Sequence, residues 1–531
     1  MPTFIPLRGL SPWILSLLLS AVLLAPLPAQ ERPARPQAQA PPAAAAAAEP
    51  APQPIPKETS SVTHHELKLD GKTLNYTATA GTLHIPGADE KPYGSIFYVA
   101  YTLDGADPSR RPVTFLYNGG PGSASIWLHM GSLGPIRVVT ASPEATGAAP
   151  YQVVPNEYSL LDRTDLVFID APLTGYSRAV GKGAAKDFAG VDQDVAAFNK
   201  FITRWISVNH RWNSPKFLFG ESYGTTRSAA LVDSLDNDGI SCNGVILLSS
   251  VLNYFNMSPG LLNSYIGNLP TYAATAWHYK KVPHKGTEKE FLDSVRAFAR
   301  GEYAEALMLG HNLPPARFDA VAAKLASFTG LSVNYIKQAN LRISPTRFRK
   351  EFARNERLIL GRYDTRFEGA DVDAAGENPG YDPSSTGITG AYVSAFRNYL
   401  DLELKYTSDL VYRPSAYNVL GEWDRTHRAP GSGRMGPGGM RDAYVAGDLA
   451  DAMRKNPALK VFSANGLFDL ATPFFQTELD LAQMNLEKKL VPNIEFGYYP
   501  AGHMIYLNLE ALKQFKADLA SWYDRTLGRN K

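Results

Sequence analysis

The chain has 531 residues, 44% hydrophobic and 20% charged, the proportions of a globular protein long enough for one large domain or two smaller ones. A formal net charge of +2 provides no electrostatic pull toward nucleic acid or an anionic membrane. The single cysteine, Cys242, excludes an intrachain disulfide and reads as a buried small hydrophobe, so the core has to come from packing alone.

Residues 1–29 read as a secretory signal peptide. Arg8 supplies the positive charge, residues 13–24 form an apolar run too short for a comfortable membrane span, and Pro26-Leu27-Pro28-Ala29 offers a cleavage site. No cysteine follows, which excludes a lipoprotein anchor and points to export into a periplasm or the medium, with no stable membrane partner once the signal is cleaved. Residues 30–60 are rich in Ala and Pro, cannot bury a core, and read as an extended linker.

From residue 61 the pattern is that of a sheet. Stretches 67–69, 76–84 and 96–101 alternate apolar and polar residues between turn signals such as Asp70-Gly71. Four apolar runs follow, at 113–117, 165–169, 216–219 and 243–248, each suited to a strand buried on both faces. Helical periodicity occupies 191–209 and 225–235 between them, so strand and helix alternate and predict a mostly parallel sheet wrapped by helices. Residues 254–451 break the alternation, with helical patterns at 289–300, 315–327 and 347–360, and read as an inserted, mainly helical cap. The alternation resumes with 459–462, 474–484, 494–498 and 509–527. Residues 61–253 and 452–531 then form one catalytic domain of α/β class interrupted by the cap.

The chemistry centres on Gly220-Glu221-Ser222-Tyr223-Gly224, set between the strand at 216–219 and the helix at 225–235. A serine on a sharp strand-to-helix turn projects its hydroxyl into a cleft, the flanking glycines let backbone pass closely, and the helix N-terminus favours negative charge beside it. A serine hydroxyl needs a base, and the base an orienting acid, in the chain order Ser, acid, His for this kind of sheet. Asp469 and His503 each fall just past the end of a strand in that order, where open α/β sheets place their active sites. Asn118-Gly119-Gly120-Pro121-Gly122 follows the strand at 113–117 and offers flexible backbone amides as an oxyanion hole.

These segments together resemble the serine carboxypeptidase family. The resemblance lies in Asn118-Gly-Gly-Pro-Gly-Ser-Ala-Ser125, Gly220-Glu-Ser-Tyr-Gly224, Asp469-Leu-Ala-Thr-Pro473, Gly502-His-Met504 and the loop Phe168-Ile-Asp-Ala-Pro-Leu-Thr-Gly-Tyr-Ser177. It implies an α/β-hydrolase fold and removal of C-terminal residues from peptides and proteins. It also implies a triad of Ser222, Asp469 and His503, oxyanion donors at the amides of Gly120 and Tyr223, and a grip on the substrate's terminal carboxylate by Asn118, the Gly119 amide and Glu221. A carboxylate held beside Glu221 requires a shared proton, so recognition should weaken as pH rises. The chain departs from the family at Ser123, where a half-cystine is usual, and at Ser132, where a second acid often helps to hold the carboxylate. The loop from Asp170 also lacks the family's usual middle glycine or asparagine. The missing cysteines fit a bacterial member, while Ser132 leaves open whether a free C-terminus is required.

An esterase, amidase or acyltransferase of the same fold, or a secreted non-catalytic binding protein, are the alternatives. Gly431-Ser-Gly433-Arg-Met-Gly436 matches a dinucleotide string but follows no strand and reads as a loop. Asp371-Val-Asp373 breaks off as a calcium motif and reads as a solvated acidic loop. His64-His65 lacks metal spacing, so neither metal nor cofactor is expected.

Overall fold

The computed structural model describes residues 52–258, 260–283, 286–428, 430 and 443–529. The segment expected to be a signal peptide, most of the Ala/Pro stretch, and residues 431–436, expected to be a loop, lie outside the described residues. Ala51–Lys531 is one compact unit.

The sheet comprises β1 (Ser60–Leu69), β2 (Lys72–Pro86), β3 (Pro92–Leu103), β4 (Val113–Tyr117), β5 (Asp165–Ile169), β6 (Lys216–Glu221), β7 (Gly244–Leu248), β8 (Lys460–Gly466) and β9 (Ile494–Tyr499). Their spatial order is β1-β2-β3-β5-β4-β6-β7-β8-β9, with Arg178–Ala179 pairing β3 beside this path. β1, β2 and β3 are antiparallel to their neighbours, and β3 also runs antiparallel to β5. From β5 to β9 every pairing is parallel. This order and direction, with helices on both faces, is the α/β-hydrolase fold.

The alternation of side chains along each central strand splits the core into two layers. Phe217 and Phe219 of β6 face one layer with Ile246 and Leu248 of β7, under the closing helix Leu509–Thr526 with its Phe515, Leu519 and Trp522. Leu218, Val245 and Leu247 face the other layer, under Val191–Val208 and Tyr223–Asn237. Each of these strand residues is fully buried, which is why the sequence shows continuous apolar runs here rather than alternation.

Two expected boundaries change. Residues before 60, expected to belong to the linker, already bond to the fold: Gln53 exchanges backbone hydrogen bonds with Gly181, at 2.6 and 3.0 Å, and Glu58 pairs with Arg204 at 2.7 Å. The helix expected over 347–360 is cut to Pro345–Glu351. Arg357 takes a left-handed φ of 57°, and Leu358–Leu360 then pairs with Glu368–Ala370 as a small hairpin. Asp371, expected in a solvated loop, is instead buried and receives two hydrogen bonds from Lys350 Nζ, at 2.7 and 2.5 Å.

The described residues of the stretch between β7 and β8, expected to be an inserted cap, pack onto the sheet's own layers. Pro383–Leu402 begins at Asp382, whose carboxylate accepts the Ser384 N–H, and it lays Ile388, Tyr392 and Phe396 in the layer that holds Leu128 and Met130. Ala446–Lys455 packs against Tyr223–Asn237 in the opposite layer. A third cluster, built on Leu262–His278, closes over Phe468, Leu470 and Phe474.

Candidate active site

The loops after β4, β6, β8 and β9 converge at the carboxyl end of the parallel strands. They meet in a cavity of about 480 Å³ that Asn118, Gly119, Gly120, Glu221, Ser222, Tyr223 and His503 all line. Ser222 has φ 60° and ψ −129°, a left-handed conformation that an ordinary side chain adopts only under constraint. The constraint is visible on both sides. Ser222 N–H is tied to the Leu248 carbonyl at 3.0 Å, and Thr225 N–H closes back on the Ser222 carbonyl at 2.8 Å to start the helix. A side chain at position 220 would meet the Gly224 carbonyl oxygen at 2.0 Å, so the turn admits only glycine there. The Asn118 loop lies equally close, since a Cβ on Gly119 would sit 2.4 Å from Tyr223 N and 2.6 Å from Gly224 N. That approach brings the Asn118 loop against the start of the helix, where Tyr223 N–H is one of the groups left without an internal partner.

Asp469 and His503 are brought together from loops 34 positions apart, with His503 Nδ1–H donating to Asp469 Oδ2 across 2.7 Å. The same carboxylate accepts the Thr472 hydroxyl at 2.7 Å and the backbone N–H groups of Ala471 and Thr472 at 2.7 and 3.1 Å. Both residues are buried. Burial alone pulls the His503 pKa down; the adjacent Asp469 carboxylate overcomes this and leaves it above the ordinary histidine value. His503 N–H donates to the Tyr363 carbonyl at 2.6 Å, and the Tyr363 ring packs on the imidazole at 5.1 Å. Among the described residues no hydrogen bond joins the Ser222 hydroxyl to His503; the two face the same cavity.

Glu221 is buried, and burial pushes its carboxyl up to about 7, against the opposing pull of the His503 charge and of hydrogen bonds from Tyr506 and Asn118. Asn118 is held by its own carbonyl groups: the side-chain oxygen accepts Leu128 N–H at 2.9 Å and the backbone oxygen accepts Arg227 at 2.9 Å. Arg227 is wholly buried in an ion pair with Asp194 at 2.7 Å. The loop from Asp170 supports the same segment, since Asp170 Oδ1 accepts Ser125 N–H at 2.8 Å and the Ser125 hydroxyl donates to the Ile169 carbonyl. Ser123 lines the cavity and accepts Trp127 Nε1–H at 3.1 Å, whereas Ser132 is fully buried with its hydroxyl turned back to the Leu128 carbonyl.

Residues that sequence reasoning did not single out complete the site. Tyr506, Thr472 and Arg227 act on Glu221, Asp469 and Asn118, while Trp127, Tyr363 and Tyr254 form aromatic walls. Thr472 and Tyr506 sit three residues beyond Asp469 and His503, a spacing that was the available signal. The inserted stretch supplies Arg362, Tyr363, Ile388, Tyr417 and Arg425, and nothing in their local sequence marks them.

The strand order and a serine on a strained strand-to-helix turn define the class as an α/β-hydrolase. Residues 71–262 match the family model described as serine carboxypeptidase. The chain is 32% identical over 153 residues to the pheromone-processing carboxypeptidase KEX1 of Cryptococcus gattii, covering 28% of this chain and 21% of that protein. It is 27% identical over 149 residues to serine-type carboxypeptidase F of Aspergillus niger, covering 27% and 26%. It thus spans about a quarter of the length of the curated relatives it matches. The crystal structure of a prohormone-processing carboxypeptidase from Saccharomyces cerevisiae aligns with 84% of this chain and 91% of that one, at 14% identity and a TM-score of 0.45. The relationship is with the serine carboxypeptidase family, over the segment that carries the Asn118 loop and Ser222; Asp469 and His503 lie beyond the matched residues.

Proposed function

We propose that the chain is a serine-type carboxypeptidase that removes C-terminal residues from peptides through an acyl-enzyme on Ser222. The observation that carries this reading is the pairing of His503 with Asp469 on the wall of the cavity that also holds Ser222 and the buried carboxyl of Glu221.

In this mechanism His503 Nε2 takes the Ser222 proton as the oxygen attacks the last peptide carbonyl. Asp469, its lone pairs already filled by Thr472 and two amides, holds the imidazole in the required tautomer and stabilises the imidazolium. The amides of Gly120 and Tyr223 receive the oxyanion, each contributing on the order of 3 kcal/mol in comparable sites. The imidazolium then gives its proton to the departing amine, and water attacks the acyl-enzyme by the reverse relay. Asn118, the Gly119 amide and Glu221 hold the leaving residue's carboxylate. Glu221 does so as a donor, which the burial of its carboxyl favours up to about pH 7. The stretch 254–451 acts as the cap that shapes specificity, and the N-terminal 29 residues direct export.

A serine-directed phosphonate should label the wild type and not Ser222→Ala; equal labelling of the two would move the nucleophile away from Ser222, and an unlabelled wild type would leave a binding protein as the better reading. A blocked dipeptide with a free carboxylate should be cleaved faster than its amide or ester. Equal rates on all three would reject the exopeptidase reading while sparing the hydrolase. Recovery of a chain lacking residues 1–29 outside the cytoplasm checks export.

A further inference from the structure

The end of the cavity assigned to the leaving residue offers little fixed positive charge from the residues already named. Glu221 is an acid, Asn118 is neutral, and Ser132 is buried with its hydroxyl committed to its own helix. Arg362, from the inserted stretch, lines this cavity as well. Asp382 accepts the Arg362 backbone N–H at 3.0 Å. That carboxylate also takes the Ser384 N–H and hydroxyl, at 3.1 and 2.6 Å, as the cap of Pro383–Leu402. Among the described residues no ion pair joins the Arg362 guanidinium to an acid, although buried Arg111, Arg211 and Arg227 all have one. The guanidinium carbon lies 5.4 Å from the Tyr363 ring centroid, and that ring in turn packs on His503. The Tyr363 hydroxyl feels the charges of Arg362, Asp382, Asp469 and Glu221, so the guanidinium shares its electrostatic surroundings with both the base and Glu221. Arg425 also lines the cavity, but it lies over Tyr254, beside Trp423 and Tyr223.

We propose that Arg362 is a specificity-determining residue, pairing through its guanidinium with the free carboxylate of the substrate's leaving residue. The inference rests on the carboxypeptidase reading and deepens it. A planar guanidinium matches a carboxylate with two parallel charge-assisted hydrogen bonds, stronger than the neutral pairing Glu221 offers, and it stays charged at every working pH. It thereby supplies the attraction that neither Ser132 nor a protonated Glu221 can.

The test compares kcat/KM on a blocked dipeptide acid and on its amide, for the wild type, Arg362→Gln, Arg362→Lys and Arg425→Gln, with melting temperatures as the check on folding. The acid-to-amide ratio should fall about tenfold in Arg362→Gln, through KM rather than kcat, and recover in part in Arg362→Lys. An unchanged ratio overturns the assignment and leaves the carboxypeptidase reading standing. An equal fall in Arg425→Gln also overturns it, since the effect would then be the general positive field of the cavity. A wild type with no preference for the acid defeats both readings. A measurement on the unaltered chain needs no variant: raising ionic strength should raise KM for the acid and not for the amide, and equal salt dependence counts against Arg362.

Discussion

The Tyr506 hydroxyl donates to Glu221 Oε2 across 2.8 Å, tying the loop of His503 to the residue beside Ser222. This bond and the Asn118 side chain oppose the burial that lifts the Glu221 carboxyl, and burial prevails, to about 7. The folded chain therefore keeps a proton that the unfolded chain releases near 4.5, so stability falls as pH rises from about 4.5 to 7. Glu221→Gln removes that slope. In urea unfolding it should match the wild type at pH 4 and exceed it at pH 8 by on the order of 3 kcal/mol. A parallel pH dependence in both proteins would refute the buried acid.

Activity should follow the same proton. With Glu221 as donor to the substrate carboxylate, kcat/KM on a dipeptide acid declines above pH 7, while protonation of His503 removes activity on the acid side. Glu221→Gln should lose the alkaline decline and keep the acidic one. A peptide kcat/KM still climbing to pH 8 in the wild type would contradict the assignment.

Asp469 and Thr472 separate orientation from charge. Asp469→Asn keeps the shape but reverses the tautomer preference, and kcat should drop by about 10⁴ with KM little changed. Thr472→Val leaves the two amide bonds to Asp469 in place and removes only the hydroxyl at 2.7 Å. A kcat loss near tenfold is expected there, read by single-turnover acylation; a loss as large as that of Asp469→Asn would mean that Thr472 does more than hold the acid.

Gly119 is where the two loops touch. A methyl at this position would lie 2.4 Å from Tyr223 N, so Gly119→Ala must push the Asn118 loop away from the helix start. The expected outcome is a loss of kcat by about 10² or more with a destabilisation of about 1–3 kcal/mol. A crystal structure of the variant with both loops unmoved would refute the account.

His427 fastens the segment that carries Tyr417, Trp423 and Arg425 over the cavity. Its Nδ1–H reaches Asp192 at 2.6 Å and its Nε2–H reaches Asp448 at 3.0 Å. Burial would lower its pKa, yet the two carboxylates raise it to about 9. A histidine with a raised folded pKa stabilises fully below 6.5, and that contribution is lost as pH rises through 9. His427→Asn should cost on the order of 3 kcal/mol at pH 6 and progressively less by pH 10, followed by thermal unfolding across that range.

The central strands could be read from the chain because they are buried on both faces. Phe217, Leu218 and Phe219 pack against helices above and below, and only an unbroken apolar run satisfies both layers. The strand-to-helix turn at Ser222 was legible for a similar reason, since its glycines answer backbone clashes within a few residues. The hairpin at Leu358–Leu360 was not legible, because its pairing with Glu368–Ala370 overrides a local helical pattern.

The chain order of Ser222, Asp469 and His503 was legible in the sequence and carried the proposed chemistry, because a nucleophile, an acid and a base are each expected at a strand end. Only the tertiary structure decided what surrounds them. Tyr506 meets Glu221 from 285 positions away, and Arg362 reaches the cavity on a stretch with no motif of its own. Burial, which sets the Glu221 proton, belongs to the packed molecule: a residue's neighbours along the chain do not fix how much water it keeps once distant segments close over it.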